Sequence, residues 1–202
     1  MKDLFVFVAD ADAQAVLKTV LQRHQSLQIR PITFDVDRHT MRDNGMVRDG
    51  PELLGLRLKK SEYERVLLVW DYAGSGQRSD ATECAAAVRA RLEQVSWRDR
   101  CAAVVIVPEL EEWLWHNPAS IAKVLNVSAA DLNQTADDGP MKPLLEEPPK
   151  EKFERVLYRQ LRCKPLPRDF ERIAQTASLA QWRNSSSFAL SCDVLRAWFP
   201  VA

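Results

Sequence analysis

Long apolar runs, clustered cysteines and an excess of charge of either sign are all missing from this chain, and each absence removes a class of function. No apolar segment approaches the roughly 20 residues that a bilayer-spanning helix needs, so no membrane span is expected. The four cysteines, Cys84, Cys101, Cys163 and Cys192, are scattered without a Cys-x-x-Cys spacing. That pattern indicates neither a zinc site nor a disulfide framework, and a reducing cytoplasm is the expected compartment. The 28 basic and 28 acidic side chains cancel, so any attraction to nucleic acid or membrane must come from a local patch. The opening "MKDLFVFVADAD" ends its apolar run at acids with no small-residue cleavage site, unlike a signal peptide. Neither an internal repeat nor a low-complexity segment interrupts the chain.

What is present reads as a soluble globular protein: 202 residues, 46% apolar and 28% charged, enough for one substantial domain or a core with an appendage. "LFVFVA" (4–9), "RVLLVWD" (65–71) and "CAAVVIVPE" (101–109) are continuous apolar runs, as strands covered on both faces require. "IRPITFDVD" (29–37) alternates Ile32, Phe34 and Val36 with polar neighbours, the period of a half-buried strand. Between them, "DAQAVLKTVLQRH" and "TECAAAVRARLEQV" (82–95) carry helical spacing, the first with acids suited to an N-cap. Strands separated by helices need crossover connections. The expected fold class is therefore α/β, a mostly parallel sheet with helices on both faces, followed by a helical extension. Residues 1–117 form the expected core and 118–202 the extension packed on it, with helices at "NPASIAKVL", "KEKFERVLYRQL" (150–161), "PRDFERIAQTAS" and "SFALSCDVLRAWF". The polar segment 37–55, with three Gly and one Pro, is predicted as a loop, and "NQTADDGPMKPLLEEPPKE" as an irregular connector.

Ligands in parallel α/β sheets gather beyond the carboxyl ends of the strands, and here those ends carry Asp10, Asp71 and Glu109. Adjacent strands lie about 4.8 Å apart, so the three carboxylates could meet. Mg²⁺ takes hard oxygen ligands, commonly one or two carboxylates with waters. Strands also end in acids simply because the chain there emerges into solvent. Glu109 and Glu112 are three apart and would share a helical face that Glu111 does not; Glu112 and His116, at i and i+4, have a spacing compatible with shared metal ligation. Leu110, Trp113 and Leu114 form an apolar stripe expected in the core, and Trp115 is expected under the helical tail. Gly74-Ser75-Gly76 suits either a phosphate cradle or a plain turn before a helix, and lacks both the P-loop lysine and the nucleophile-elbow pattern. Arg155, Arg159 and Arg162 form a basic stripe that could touch phosphates or serve as a solvated face.

The order strand, acid, helix in "VFVADADAQAVLKTVL", followed by "VLLVWDYAGSG" and "VVIVPELEEWLW", resembles a Toprim domain, the metal-binding α/β module of topoisomerases, primases and related nucleases. The chain as a whole, with "PELEEWLW", the "PPKE" connector and the terminal "LRAWFP", resembles a group of small Toprim-like bacterial proteins encoded in methylation-associated phage-defence clusters. This resemblance implies a Mg²⁺- or Mn²⁺-dependent phosphodiesterase acting on nucleic acid. Asp10, Asp71 and Glu109 would be its catalytic residues and Asp71, Asp10, Glu109 and Glu112 its metal ligands. Arg155, Arg159 and Arg162 would contact nucleic acid. The sequence departs from the Toprim pattern at two places: Asp10 stands where that pattern has a glutamate, and Asp71-Tyr72-Ala73 lacks the second acid of Asp-x-Asp. Ala73 cannot coordinate a cation. The same features therefore also fit a degenerate scaffold that binds nucleic acid or other defence-cluster proteins.

Overall fold

A computed structural model describes residues 1–58, 61–133 and 148–201. In it the apolar runs become four strands, β1 (Lys2–Val8), β2 (Phe34–Arg38), β3 (Tyr63–Asp71) and β4 (Cys101–Ile106). They pair in parallel in the order β2-β1-β3-β4. Helices α1 (Ala11–Gln22) and α2 (His24–Leu27) cross from β1 to β2, α3 (Arg42–Arg48) and α4 (Gly50–Arg57) from β2 to β3, and α5 (Ala81–Leu92) from β3 to β4. Beyond β4 lie α6 (Glu111–Trp115), α7 (Pro118–Leu125) and α8 (Ala129–Asn133), then α9 (Pro149–Leu161), α10 (Pro167–Thr176), α11 (Leu179–Trp182) and α12 (Ser186–Trp198). The fold is α/β, with helices on both faces of a parallel sheet.

The period of two along a strand explains why the strand sequences are apolar throughout. Leu4, Val6 and Val8 of β1, Leu67 and Val69 of β3, and Val104 and Ile106 of β4 enter one buried cluster with α1, α7, α10 and α12. The residues between them, Phe5, Phe7, Leu68, Trp70 and Val105, enter the other with α3, α4 and α5. Each face needs its own apolar set, so alternation disappears from the sequence.

Two expectations are corrected here. Segment 37–55 is not a loop: it forms most of α3 and α4, which bury Met46, Val47 and Leu54 against the sheet. Its glycines serve packing, since a Cβ on Gly45 would overlap the buried His39 ring. The strand expected at 29–37 begins only at Phe34, because Ile29 instead makes an antiparallel bridge with Pro200 near the C-terminus. The expected connector at 133–151 lies largely outside the described residues.

The C-terminal helices are fastened to the sheet side by aromatic packing and a few buried polar links. Phe188 stands edge-on to Trp113 and Trp182, with ring centroids 5.0 and 5.4 Å away. The Trp113 indole N–H donates to Ser187 Oγ at 2.7 Å, and the Arg23 guanidinium donates to the Ala174 and Ala177 carbonyls at 2.7 and 2.8 Å. Ser187→Ala leaves the fully buried Trp113 N–H unpaired. It is expected to lower stability by about 1–3 kcal/mol, read as a lower denaturation midpoint with unchanged slope.

Candidate functional site: an acidic cleft at the sheet switch point

Strand order reverses at β1, which has β2 on one side and β3 on the other. In open parallel sheets such a switch point opens a crevice beyond the carboxyl ends of the two central strands. The register places Val8 opposite Val69, so Asp10 and Asp71, each two residues further on, stand at the same level. The crevice is a cleft of about 810 Å³, within the size range of small-molecule and cofactor sites. Asp10, Asp12, Asp71 and Glu111 line it together with Arg42, Arg57, Lys150 and Lys164.

Each acid arrives by a different route. Asp10 is the N-cap of α1: its Oδ1 accepts from the Asp12 and Ala13 backbone amides at 3.1 and 3.0 Å, as a capping carboxylate should. Asp71 ends β3, and its carboxyl takes a hydrogen bond from the Leu110 amide. Asp43, in the first turn of α3, reaches across so that its Oδ1 accepts from the Asp71 backbone N–H at 2.8 Å. Glu111 opens α6 and is only 6% exposed. Among the described residues no other side chain hydrogen-bonds or ion-pairs with it.

Crowding like charges in a desolvated place favours their protonated forms. Burial, then the Asp43, Glu111 and Asp10 charges, push Asp71 well above the usual carboxylate range. Burial, then the Glu109 and Asp12 charges, push Glu111 up to about 8. Burial and Asp10 push Asp12 up to about 6, and burial, helped by Asp10, raises Asp43. Lys150 is the counterweight. Burial pulls its ammonium down, but Glu111, Glu109, Glu154 and Asp71 outweigh that and raise it.

No family model, curated protein or solved structure matches this chain. The site therefore has to be judged on its own geometry. Asp10 and Asp71 are brought together as expected of adjacent strand ends. Glu109 plays a different part: its Oε1 accepts from the Lys150 backbone N–H at 3.0 Å, capping the first turn of α9 and delivering Lys150 to the cleft. Burial, then the nearby Glu151 and Glu154 charges, raise its pKa. Glu112 does not line the cleft. One of its oxygens meets His116 Nε2 at 2.6 Å and the other accepts from Ser185 Oγ at 2.6 Å, so this pair ties α6 to the N-cap of α12. Arg155, Arg159 and Arg162 lie along and just past α9 and do not line the cleft either. Trp115 packs under the tail as expected, its N–H donating to the Pro149 carbonyl at 2.9 Å with the Lys152 ammonium 3.9 Å from its ring centre.

Gly74-Ser75-Gly76 resolves as a turn that makes room for Asp43. Ser75 is buried and donates from Oγ to the Tyr72 carbonyl at 2.7 Å, and Gly76 has φ +70°, the left-handed region that glycine enters freely. A Cβ on Gly74 would overlap the Asp43 carboxylate. Sequence reasoning had no route to Asp43, because it sits in a segment without a sustained period. Glu111 points away from Glu112, as their spacing indicates, and lines the cleft; the expected shared face of Glu109 and Glu112 is not formed, because α6 begins at Glu111 and Glu109 precedes it.

Among the described residues no group of three or more His, Cys, Asp or Glu side chains is arranged to hold a metal ion. That speaks against a closed cage of the zinc type. A Mg²⁺-like ion asks for less, one or two carboxylates with waters completing the octahedron. An acid cluster whose members raise one another's pKa is the donor set such an ion would relieve, and on this ground the residues fit it. No helix of the described residues is long and apolar enough to cross a membrane.

Proposed function

We propose that the cleft is the site of a divalent-cation-dependent phosphodiesterase acting on nucleic acid. The observation that carries this reading is the convergence of Asp71 with Asp10, Asp43 and Glu111 at the β1/β3 switch point, under a rim of basic side chains. Asp71 with a neighbouring carboxylate would hold Mg²⁺ or Mn²⁺. When bound, such an ion supplies Lewis-acid stabilisation of charge on a phosphoryl oxygen and activates a water.

The chain's own residues supply the rest. Arg42, Arg57, Lys150 and Lys164 line the cleft and are suited to phosphate oxygens, Arg by its planar fork and Lys as a point charge. Lys150 stands within the field of both Asp71 and Glu111, where it offsets part of their repulsion while its ammonium remains available to a phosphate. Because the net charge is zero, recognition of a polyanion rests on this local rim.

The purified chain is expected to cut DNA or RNA only with Mg²⁺ or Mn²⁺, and Asp71→Ala to abolish the cutting. Absence of both cation binding and cleavage in the wild type would remove this reading. A second reading draws on Ala73 and on the lack of a complete cage: a scaffold for partner proteins or nucleic acid within a defence assembly. It predicts that wild type and Asp71→Ala retrieve the same partners and protect cells equally.

A further inference from the structure

Five cationic side chains line the cleft, and they arrive from opposite faces of the sheet. Arg42 and Arg57 come from α3 and α4, whose Met46, Val47 and Leu54 pack on one face. Lys150 and Lys164 come from α9 and the segment between α9 and α10, whose Phe153, Leu157 and Phe170 pack on the other. Arg38 ends β2, where the register sets it opposite Val8 of β1, so it stands at the mouth of the switch point. Arg42 opens α3 at φ +50°, an uncommon conformation for a non-glycine residue. On the far side α9 ends at Arg162, φ +53°, and the chain turns there toward Lys164. Pro165 and Pro167 line the cleft beside that lysine, and their fixed φ stiffens this wall.

Elsewhere on the same core, Arg48 and Arg89 are paired with Asp49 and Glu93 at 3.1 and 3.0 Å. In the cleft, Arg57 reaches Asp37 only at 3.9 Å, and Lys150 has Glu154 nearby on its own helix. The Arg38, Arg42 and Lys164 side chains have neither hydrogen bond nor ion pair among the described residues. Unpaired cations gathered around one cleft raise the local concentration of an anion there. The cleft volume of about 810 Å³ is that of a small-molecule site, with room for a few nucleotides of one strand and none for a duplex. No exposed aromatic ring lines it among the described residues, since His39 and Phe170 are buried. Base stacking, the usual second hold on a single strand, is therefore missing, and recognition falls on the phosphates.

We propose that the helical extension is one jaw of a phosphate clamp: Arg38 and Arg42 from the core and Lys150 and Lys164 from the extension hold the backbone of a single nucleic-acid strand across the strand ends, without preference among bases. The proposal rests on the nucleic-acid reading above and narrows its substrate to single strands.

The test is the salt dependence of binding to a fluorescently labelled oligothymidylate, titrated in EDTA. Four phosphate contacts at about 0.7 each give a slope of about −2.8 in log K against log salt, a roughly fifty-fold loss of affinity between about 50 and 200 mM. Arg42→Ala and Lys164→Ala should each bring the slope to about −2.1 and the loss to roughly twenty-fold. All of these side chains are exposed, so the variants should fold. Lys164→Arg should restore the slope, and Arg89→Ala, outside the cleft, should leave it unchanged. Oligocytidylate should bind comparably, and a duplex of the same length more weakly. If Lys164→Ala leaves the slope unchanged, the extension is not a jaw and the proposal is overturned. A duplex that binds as tightly as the single strand, a nucleoside triphosphate that competes at the oligonucleotide's own concentration, or a wild type that binds no strand in EDTA would also overturn it. A wild type that binds the strand with this slope yet cuts nothing with Mg²⁺ or Mn²⁺ would keep the clamp and remove the phosphodiesterase.

Discussion

Asp71→Asn is expected to lose cation-dependent cleavage and yet, without cation, to melt at a higher temperature than the wild type. The two effects share one cause. Asp71 is desolvated and surrounded by Asp43, Glu111 and Asp10, so its charge is costly in the cation-free fold and useful only when a cation is there to meet it. Asparagine keeps an oxygen for the Leu110 N–H and turns the other position into a donor facing carboxylates. Removing the repulsion should stabilise the cation-free protein by about 1–3 kcal/mol. For a chain of this size that is a rise of roughly 3–10 °C. Preorganised electrostatic groups are commonly worth about 10²–10³ in rate, and cleavage should fall by at least that much. A variant that melts lower would mean that Asp71 is held by stabilising partners rather than opposed by like charges.

The cation-free protein is expected to lose stability as pH rises from about 5 to about 8. The folded pKa of Glu111 is about 8 against an ordinary 4.5, and that of Asp12 is about 6 against 3.8. Both acids bind protons more tightly in the folded state. Their contribution is complete below the unfolded values and is lost as pH climbs through the folded ones. For Glu111 alone the loss is roughly 2–4 kcal/mol across that window, or roughly 5–15 °C in melting temperature. At the acid end the sign reverses. Burial opposes the ionised form of Asp3, but hydrogen bonds from Arg30 and Thr33 prevail and bring it to about 2, so its contribution is present above 3.8 and fades as pH falls toward 2. The melting profile should therefore peak near pH 5. Glu111→Gln should flatten its alkaline side, and saturating Mg²⁺ should flatten it in the wild type by neutralising the same cluster. A wild-type profile level between pH 5 and 8 would count against a desolvated acid cluster.

The strands were legible because burial on both faces leaves an uninterrupted apolar run, as in Leu67 to Trp70 and Val104 to Ile106. Their parallel pairing followed from the helices between them, and so did the gathering of Asp10 and Asp71 at one end. Helices with a clear apolar stripe, such as α9, α10 and α12, were equally readable. The reading failed at α3 and α4, which are seven and eight residues long and carry their burial on few side chains. There glycine, ordinarily a sign of a loop, is chosen for close approach: Gly45 lies beneath His39 and Gly74 faces Asp43. A residue that reaches its site from a short helix by way of a glycine leaves no periodic trace. For the same reason Asp43 was invisible while Asp71, at the end of a conspicuous strand, was not. Glu109 and Glu111 show a different limit. Two residues of offset decide whether an acid caps α9 or lines the cleft, and the sequence did not specify where α6 begins.

The most direct test of a cation-binding carboxylate pair at the β1/β3 switch point is a calorimetric titration of Mn²⁺ into the wild-type chain and into Asp71→Asn at pH 8, where the acids are most fully ionised. The expected result is one saturable site in the wild type and none in the variant. No saturable heat in the wild type, or an unchanged site in Asp71→Asn, would contradict it.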